Sequence, residues 1–261
     1  MTIDLSFFDE LTLDAQADTR GKPDPMVLAQ VAGKENFINA ALRVAYVHGV
    51  FCEALKAPVS AFALAIHSVP QRQSDGSWLW TYVYVESEIE YVIYLFGADA
   101  GDRTEWRMEV STNRPEMPLD HFVWFDGEVL KYESRGYWQF YEPIPGETVL
   151  GPPTQAAAAA ARTEGAQLAR IDWFSLTGNV HQLSVLNNSP ASPDVGDVLL
   201  FHASPVESYL TFTDASDPEV VYNITWYPDG SGSIQVPDYP VDNPGQKACW
   251  DSEQFNVACP E

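Results

Sequence analysis

From Trp78 to Tyr239 short apolar runs alternate with turn residues at roughly eight- to twelve-residue intervals, the spacing of an antiparallel meander. The first runs are WLWTYVYV, IEYVIYLFG, TEWRMEVST, HFVWFDG and GYWQFYEP, all rich in aromatic and β-branched residues. Their connections are too short for parallel crossovers, so they pair antiparallel. GADAGDR and FDGEVL supply turns, the second through a hairpin-type Asp-Gly. A second set follows: ARIDWFSL, HQLSVLNN, DVLLFHAS, ESYLTFTD, VVYNITWYP and GSIQVPDY, with TGN and PDGSG as hairpin turns.

Upstream the period changes. KENFINAALRVAYVHGVFCEALK places Phe37, Ala41, Val44, Ala45, Tyr46 and Phe51 at or near helical spacing. PVSAFALAIHS reads as a second helix with Pro58 in its first turn. Both are poor in charge and so require cover from a sheet. Residues 1–33 form an acidic irregular arm with RGKPDP as breaker, and 143–167 a loop carrying an alanine-rich insertion.

The two strand sets resemble each other. IEYVIYLFGADAGDRTEWRME can be laid on VESYLTFTDASDPEVVYNITW, with Tyr91 near Tyr209, Leu95 or Phe96 near Phe212, and Trp106 near Trp226. The expected fold is mainly β, an antiparallel barrel or cupped half-barrel built from two meanders of ten or eleven strands. The N-terminal helices of residues 34–69 pack against it. Residues 34–261 are expected to form a single β-rich domain, with meanders at 77–142 and 168–240 and a tail at 241–261.

The strand WLWTYVYV is apolar on both parities. Trp78, Trp80, Tyr82 and Tyr84 share one face, and Leu79, Val83 and Val85 the other. The expectation is that helices cover one face while the other looks into a curved sheet, with Glu86, Glu88 and Glu90 marking the turn into solvent. Trp106, Trp124, Trp138 and Tyr141 follow on neighbouring strands. These eight aromatics are either packed core or the lining of a cavity for an apolar, lipid-like ligand.

The charge-poor helices, WLWTYVYV, EWRMEVS, FVWFDG…GYWQFYE and the closing CWD…C together resemble an uncharacterised family of bacterial cell-envelope lipoproteins. The resemblance runs from about Glu35 to the C-terminus and implies a β fold and an envelope location. In that family the mature chain follows a lipid-modified N-terminal cysteine, which this sequence does not carry. A lipid anchor would therefore belong to a full-length precursor. No activity comes with the resemblance.

Charge narrows the function classes. The 261 residues hold 37 acidic against 14 basic side chains, a formal charge of −23. Such a field repels nucleic-acid backbones and anionic membranes. No apolar run is long enough for a transmembrane helix, and the N-terminus lacks signal-peptide features, so the expectation is a cytoplasmic chain or one numbered after a removed export signal. Cys249 and Cys259 favour the second, because their spacing suits a disulfide staple better than a zinc or redox motif. Two unrelated reduced thiols are the alternative.

Catalytic signatures are missing: there is no G-x-S-x-G elbow, H-E-x-x-H helix or Walker loop. His48, His67, His121, His181 and His202 are scattered without ligand spacing. Asp120 and His121 are disfavoured as an acid–base pair, since neighbours on a strand point to opposite faces. DAGD, DASDPE and DYPVDN are acidic loops without an EF-hand pattern, read as solvated turns. No catalytic residue, metal site or cofactor is therefore assigned. The leading expectation is non-catalytic binding of an apolar molecule in an aromatic-lined interior. A fully packed protein-interaction module is the alternative, and a hydrolase without recognisable motif the third.

Overall fold

The computed structural model describes residues 32–115, 118–131, 134–142, 166–176, 180–189, 192, 194–218 and 220–260. Nearly all of the acidic arm, the alanine-rich segment 143–165 and the TGN turn lie outside these residues.

A single helix, α1 (Glu35–Ala65), replaces the two expected helices and runs through Pro58. Proline removes one hydrogen bond from a helix interior. Burial at both ends of α1 offsets that loss: Phe37, Ala41, Val44 and Val47 near its start, and Ala61 and Ala65 near its end, are all buried. Among the described residues no helix is long and apolar enough to cross a membrane.

The strands follow in strict sequence order as one antiparallel sheet: β1 (Gln71–Arg72), β2 (Trp78–Glu86), β3 (Ile89–Asp99), β4 (Arg103–Thr112), β5 (Leu119–Leu130), β6 (Arg135–Glu142), β7 (Ala166–Leu176), β8 (Val180–Asn187), β9 (Val198–Ala203), β10 (Ser208–Thr213), β11 (Val221–Trp226), β12 (Gly232–Gln235), β13 (Ala248–Trp250) and β14 (Asn256–Val257). All eleven expected strands occur, and three short ones are added. The sheet is not closed into a barrel; β1 and β14 are its edges.

Turn chemistry was only partly legible. Asp99 and Arg103 bracket the expected β3–β4 turn, and Tyr227 and Ser231 close the β11–β12 turn. The Asp-Gly of FDGEVL, however, is no turn. Asp126 and Gly127 lie inside β5, paired with Gln139 and Trp138 of β6. The β2–β3 turn instead uses Ser87 and Glu88, both at positive φ (51° and 71°), where Asn-Gly is the usual choice.

The chain divides into two compact units. One comprises Met1–Glu53, Ser175–Leu186 and Gly196–Glu261 in their described parts. Its core includes Phe37, Phe201, Phe212, Ile224, Ile234 and Trp250, with Phe37 edge-on to Trp250 at 5.7 Å. Arg43 is buried there, held by Asn39, by Asp238 at 2.8 Å and by the Tyr222 ring. Asn36 joins Cys249 and Tyr239 in the same core: its Nδ2 donates to the Cys249 carbonyl, and the Tyr239 hydroxyl donates to its Oδ1.

The other unit comprises Ala54–Phe174 and Asn187–Val195. Its core is the row Leu95, Met108, Phe125, Phe140 and Ala169 across β3–β7, packed by Ala61, Phe62 and Ala65 of α1. A second cluster of Val110, Leu119, Phe122, Val123 and Tyr141 adjoins it.

Candidate functional site

The aromatic face belongs to the second unit. Cross-strand register sets Trp78, Gly97, Trp106, Gly127, Trp138 and Ile171 in one row, alternating a large side chain with none as far as Trp138. Trp106 and Trp80 meet at a tilt, ring centres 5.8 Å apart, and Phe62 packs edge-on to Trp106 (5.9 Å) and Trp138 (6.0 Å). Tyr82 and Trp124 pack on the same cluster, while Tyr84 meets Tyr91 and is 40% exposed. Tyr141 is buried with its hydroxyl 3.5 Å from both carboxylate oxygens of Asp126.

The tryptophans have a structural employer that sequence reading missed. Every glycine inside a described strand has a tryptophan directly across from it: Gly97 has Trp78 and Trp106, Gly127 has Trp106 and Trp138, Gly136 has Trp173, and Gly232 has Trp226 and Trp250. A Cβ on Gly97 would lie 3.0 Å from the Trp106 ring, and one on Gly127 would lie 2.8 Å from Trp138. The indoles cover backbone that glycine leaves bare, a recognised way of stabilising sheet glycines.

The other parity of β2 departs from expectation. Val83 is 53% and Val85 61% exposed, so no element among the described residues covers them. Further along the sheet this side is charged: Arg103 pairs with Glu105 and Glu128, and Arg170 with Asp172 beneath a cation–π contact to Tyr137. Next to β2 it is apolar, with Val92, Tyr94 and Phe96 half-buried on β3. Leu79 and Trp78 of β2 pair with Gln71 and Arg72 of β1.

Beside this patch sits a polar cluster built on a β-bulge. Ladder pairing jumps from Val110–Phe122 to Thr112–Leu119, so Ser111 faces both Asp120 and His121. His121 adopts φ 52°, its amide donating to the Ser111 hydroxyl at 2.9 Å. The bulge re-aims the imidazole. Its Nδ1 lies 2.9 Å from Oε2 of Glu109, whose side chain is 2% exposed, and its ring stacks on Tyr94 at 4.5 Å. Arg107 Nε approaches the other Glu109 oxygen at 2.9 Å while its guanidinium lies over Phe96. Burial, reinforced by Asp120, Glu109 and Glu90, pushes the Tyr94 phenol above its ordinary pKa. His121 thus takes Glu109 rather than its neighbour Asp120.

The remaining candidates are engaged locally. In DAGD, Asp99 accepts from the Gly101 amide and binds Lys131; in DASDPE, Asp214 accepts from Ser216 and Asp217; in DYPVDN, Asp238 holds Arg43. Groups of three metal-ligating side chains are lacking among the described residues. His181 Nδ1 lies 2.9 Å from the Ser175 hydroxyl, and His202 stacks on Tyr209 at 4.7 Å. His67 is exposed beyond the end of α1. Cys249 and Cys259 form a disulfide that ties β13 to the tail.

No family model, curated protein or solved structure matches the chain.

Proposed function

We propose that the chain is a non-catalytic protein-binding module whose contact surface is the apolar patch on the solvent side of β2 and β3. The observation that carries this reading is the exposure of Val83 and Val85 beside the half-buried Val92, Tyr94 and Phe96. An apolar patch at the rim of an otherwise charged face is the usual signature of a binding surface. Carriage of a lipid-like ligand stands second. The rings that would line its cavity, Trp80, Trp106 and Trp138, are occupied with one another and with Phe62. A hydrolase would have to rest on Glu109 and His121, and the Ser111 hydroxyl beside them is engaged by the His121 amide. The Cys249–Cys259 bond supports an oxidising compartment, in keeping with a bacterial envelope location.

A photo-crosslinking residue placed at Val83, with one at Val257 as control, tests the reading in living cells. A discrete protein adduct at position 83 alone is the expected result. A lipid or small-molecule adduct there would return the carriage reading to first place, and equal labelling at both positions would remove the patch as a binding surface.

A further inference from the structure

We infer that the tail closed by Cys249–Cys259 is a redox-sensitive clasp on the start of α1. With the bond formed, Asn256 caps the helix; a dithiol that opens the bond releases the cap while the sheet stays folded. Lys34 stands at the N-cap position, since its carbonyl accepts the first helical hydrogen bond, from the Ile38 amide. A lysine side chain offers no acceptor to the first-turn amides, where serine, threonine, asparagine or aspartate is usual. Asn256 fills that role from 220 residues beyond Asn36, its Oδ1 accepting from the Asn36 amide at 3.0 Å. Its own amide donates to the Gly33 carbonyl at 2.6 Å, and its Nδ2 donates to the Glu35 carboxylate. The Lys34 ammonium lies over the Phe255 ring at 4.6 Å. Both sides of the clasp belong to the first unit.

The segment that carries Asn256 has little burial to hold it. Both residues of β14 are exposed, as is Phe255, and β14 pairs with β13 only at Cys249–Val257 and Trp250–Asn256. Asp251 closes the turn by accepting from the Glu253 and Phe255 amides. A hairpin of this size is marginal alone, so the cross-link is what keeps Asn256 in place. The Asn36 side chain is anchored separately, by the Cys249 carbonyl and the Tyr239 hydroxyl, so α1 stays docked when the bond opens. Cys249 is buried and Cys259 half-buried, which makes Cys259 the sulfur open to attack. A thiolate of the dithiol bonds to Cys259 Sγ, the S–S bond breaks, and Cys249 leaves as a thiolate that takes a proton. The second thiolate of the dithiol then closes its own disulfide and expels Cys259, which is protonated in turn. Two electrons and two protons pass from the dithiol to the pair.

Backbone NMR of the intact protein, oxidised and after dithiothreitol, reads both sides of the clasp. On reduction the order parameters of residues 255–257 should fall from about 0.85 to below about 0.6. The Asn36 amide resonance should move with them, while the resonances of β10 and β11 stay in place. Asn256→Ala should move the same Asn36 resonance in the oxidised protein with the tail still rigid. Lys34→Ser gives the helix a cap of its own, so reduction should free the tail yet leave the Asn36 resonance where it was. A tail that stays ordered after reduction would overturn the clasp. Loss of the β10 and β11 resonances would overturn it too, since the bond would then hold the whole fold. An Asn36 resonance unmoved by Asn256→Ala would remove the cap, and one that still moves when Lys34→Ser is reduced would remove the coupling through it.

Discussion

Trp138 lies across the ladder from Gly127, so close that a Cβ on the glycine would meet the indole at 2.8 Å and collide with the Tyr137 carbonyl. The glycine is there for closeness and not for a turn. Gly127→Ala should therefore destabilise by about 1–3 kcal/mol through overpacking. Trp138→Ala, which strips the cover from Gly127 and the contact with Phe62, should cost about 3 kcal/mol. Urea unfolding measures both; a neutral Gly127→Ala would refute the close approach.

The Ser87–Glu88 turn holds two non-glycine residues at positive φ. Replacing the pair with Asn and Gly (Ser87→Asn, Glu88→Gly) should raise stability by about 1 kcal/mol, because the same turn is then adopted without steric cost. The shift in urea midpoint at unchanged slope is the readout.

His121 also sits at positive φ, and its ring partners explain why a histidine is retained there. Both His121→Ala and His121→Gly lose the Glu109 contact, but only glycine relieves the backbone. The glycine variant should be the more stable of the two by about 1 kcal/mol. Equal stabilities would mean that His121 is not held in the left-handed region.

Tyr239 gives a pH dependence. Burial, with Glu35 adding to it, raises its phenol from 10.0 to about 12, while its hydroxyl donates to Asn36. The folded state keeps this proton after the unfolded state has released it. The resulting stability is complete below about pH 10 and is lost as pH rises toward 12. Tyr239→Phe should flatten that alkaline fall in denaturation curves recorded between pH 9 and 12.

The disulfide should be visible as mass and as stability. Intact protein should gain 2 Da on reduction of Cys249–Cys259, from the two added hydrogens. Opening so short a loop should cost about 3 kcal/mol by chain entropy. Two free thiols in folded protein from an oxidising compartment would contradict the bond.

Strand existence was legible because period-two patterning and short turn-rich connections leave little alternative to a meander. The aromatic parity of β2 was legible as a shared face, although Trp78 and Tyr84 on it are exposed and Trp80 and Tyr82 only half-buried, and Cys249 and Cys259 announced their bond. The Asp-Gly of β5 misled for a physical reason. The dipeptide favours a hairpin locally, but Trp106 and Trp138 on both neighbouring strands gain a flat surface if the glycine stays in the ladder. Pro58 misled in the same way: its local penalty is smaller than what burial at both ends of α1 returns.

What the chain determined by itself was thus its local vocabulary: antiparallel strands, an acidic exterior, one apolar strand too dry for an ordinary edge. Only the tertiary structure decided which side of that strand is covered. Cover depends on what packs opposite, and the sheet brings Phe62 to the Trp80 side while leaving Val83 and Val85 bare. The pairing of His121 with Glu109 was equally beyond the sequence, because a one-residue bulge opposite Ser111 chooses the direction of the ring. Local patterns encode which residues prefer to be buried; register and packing decide which of them are.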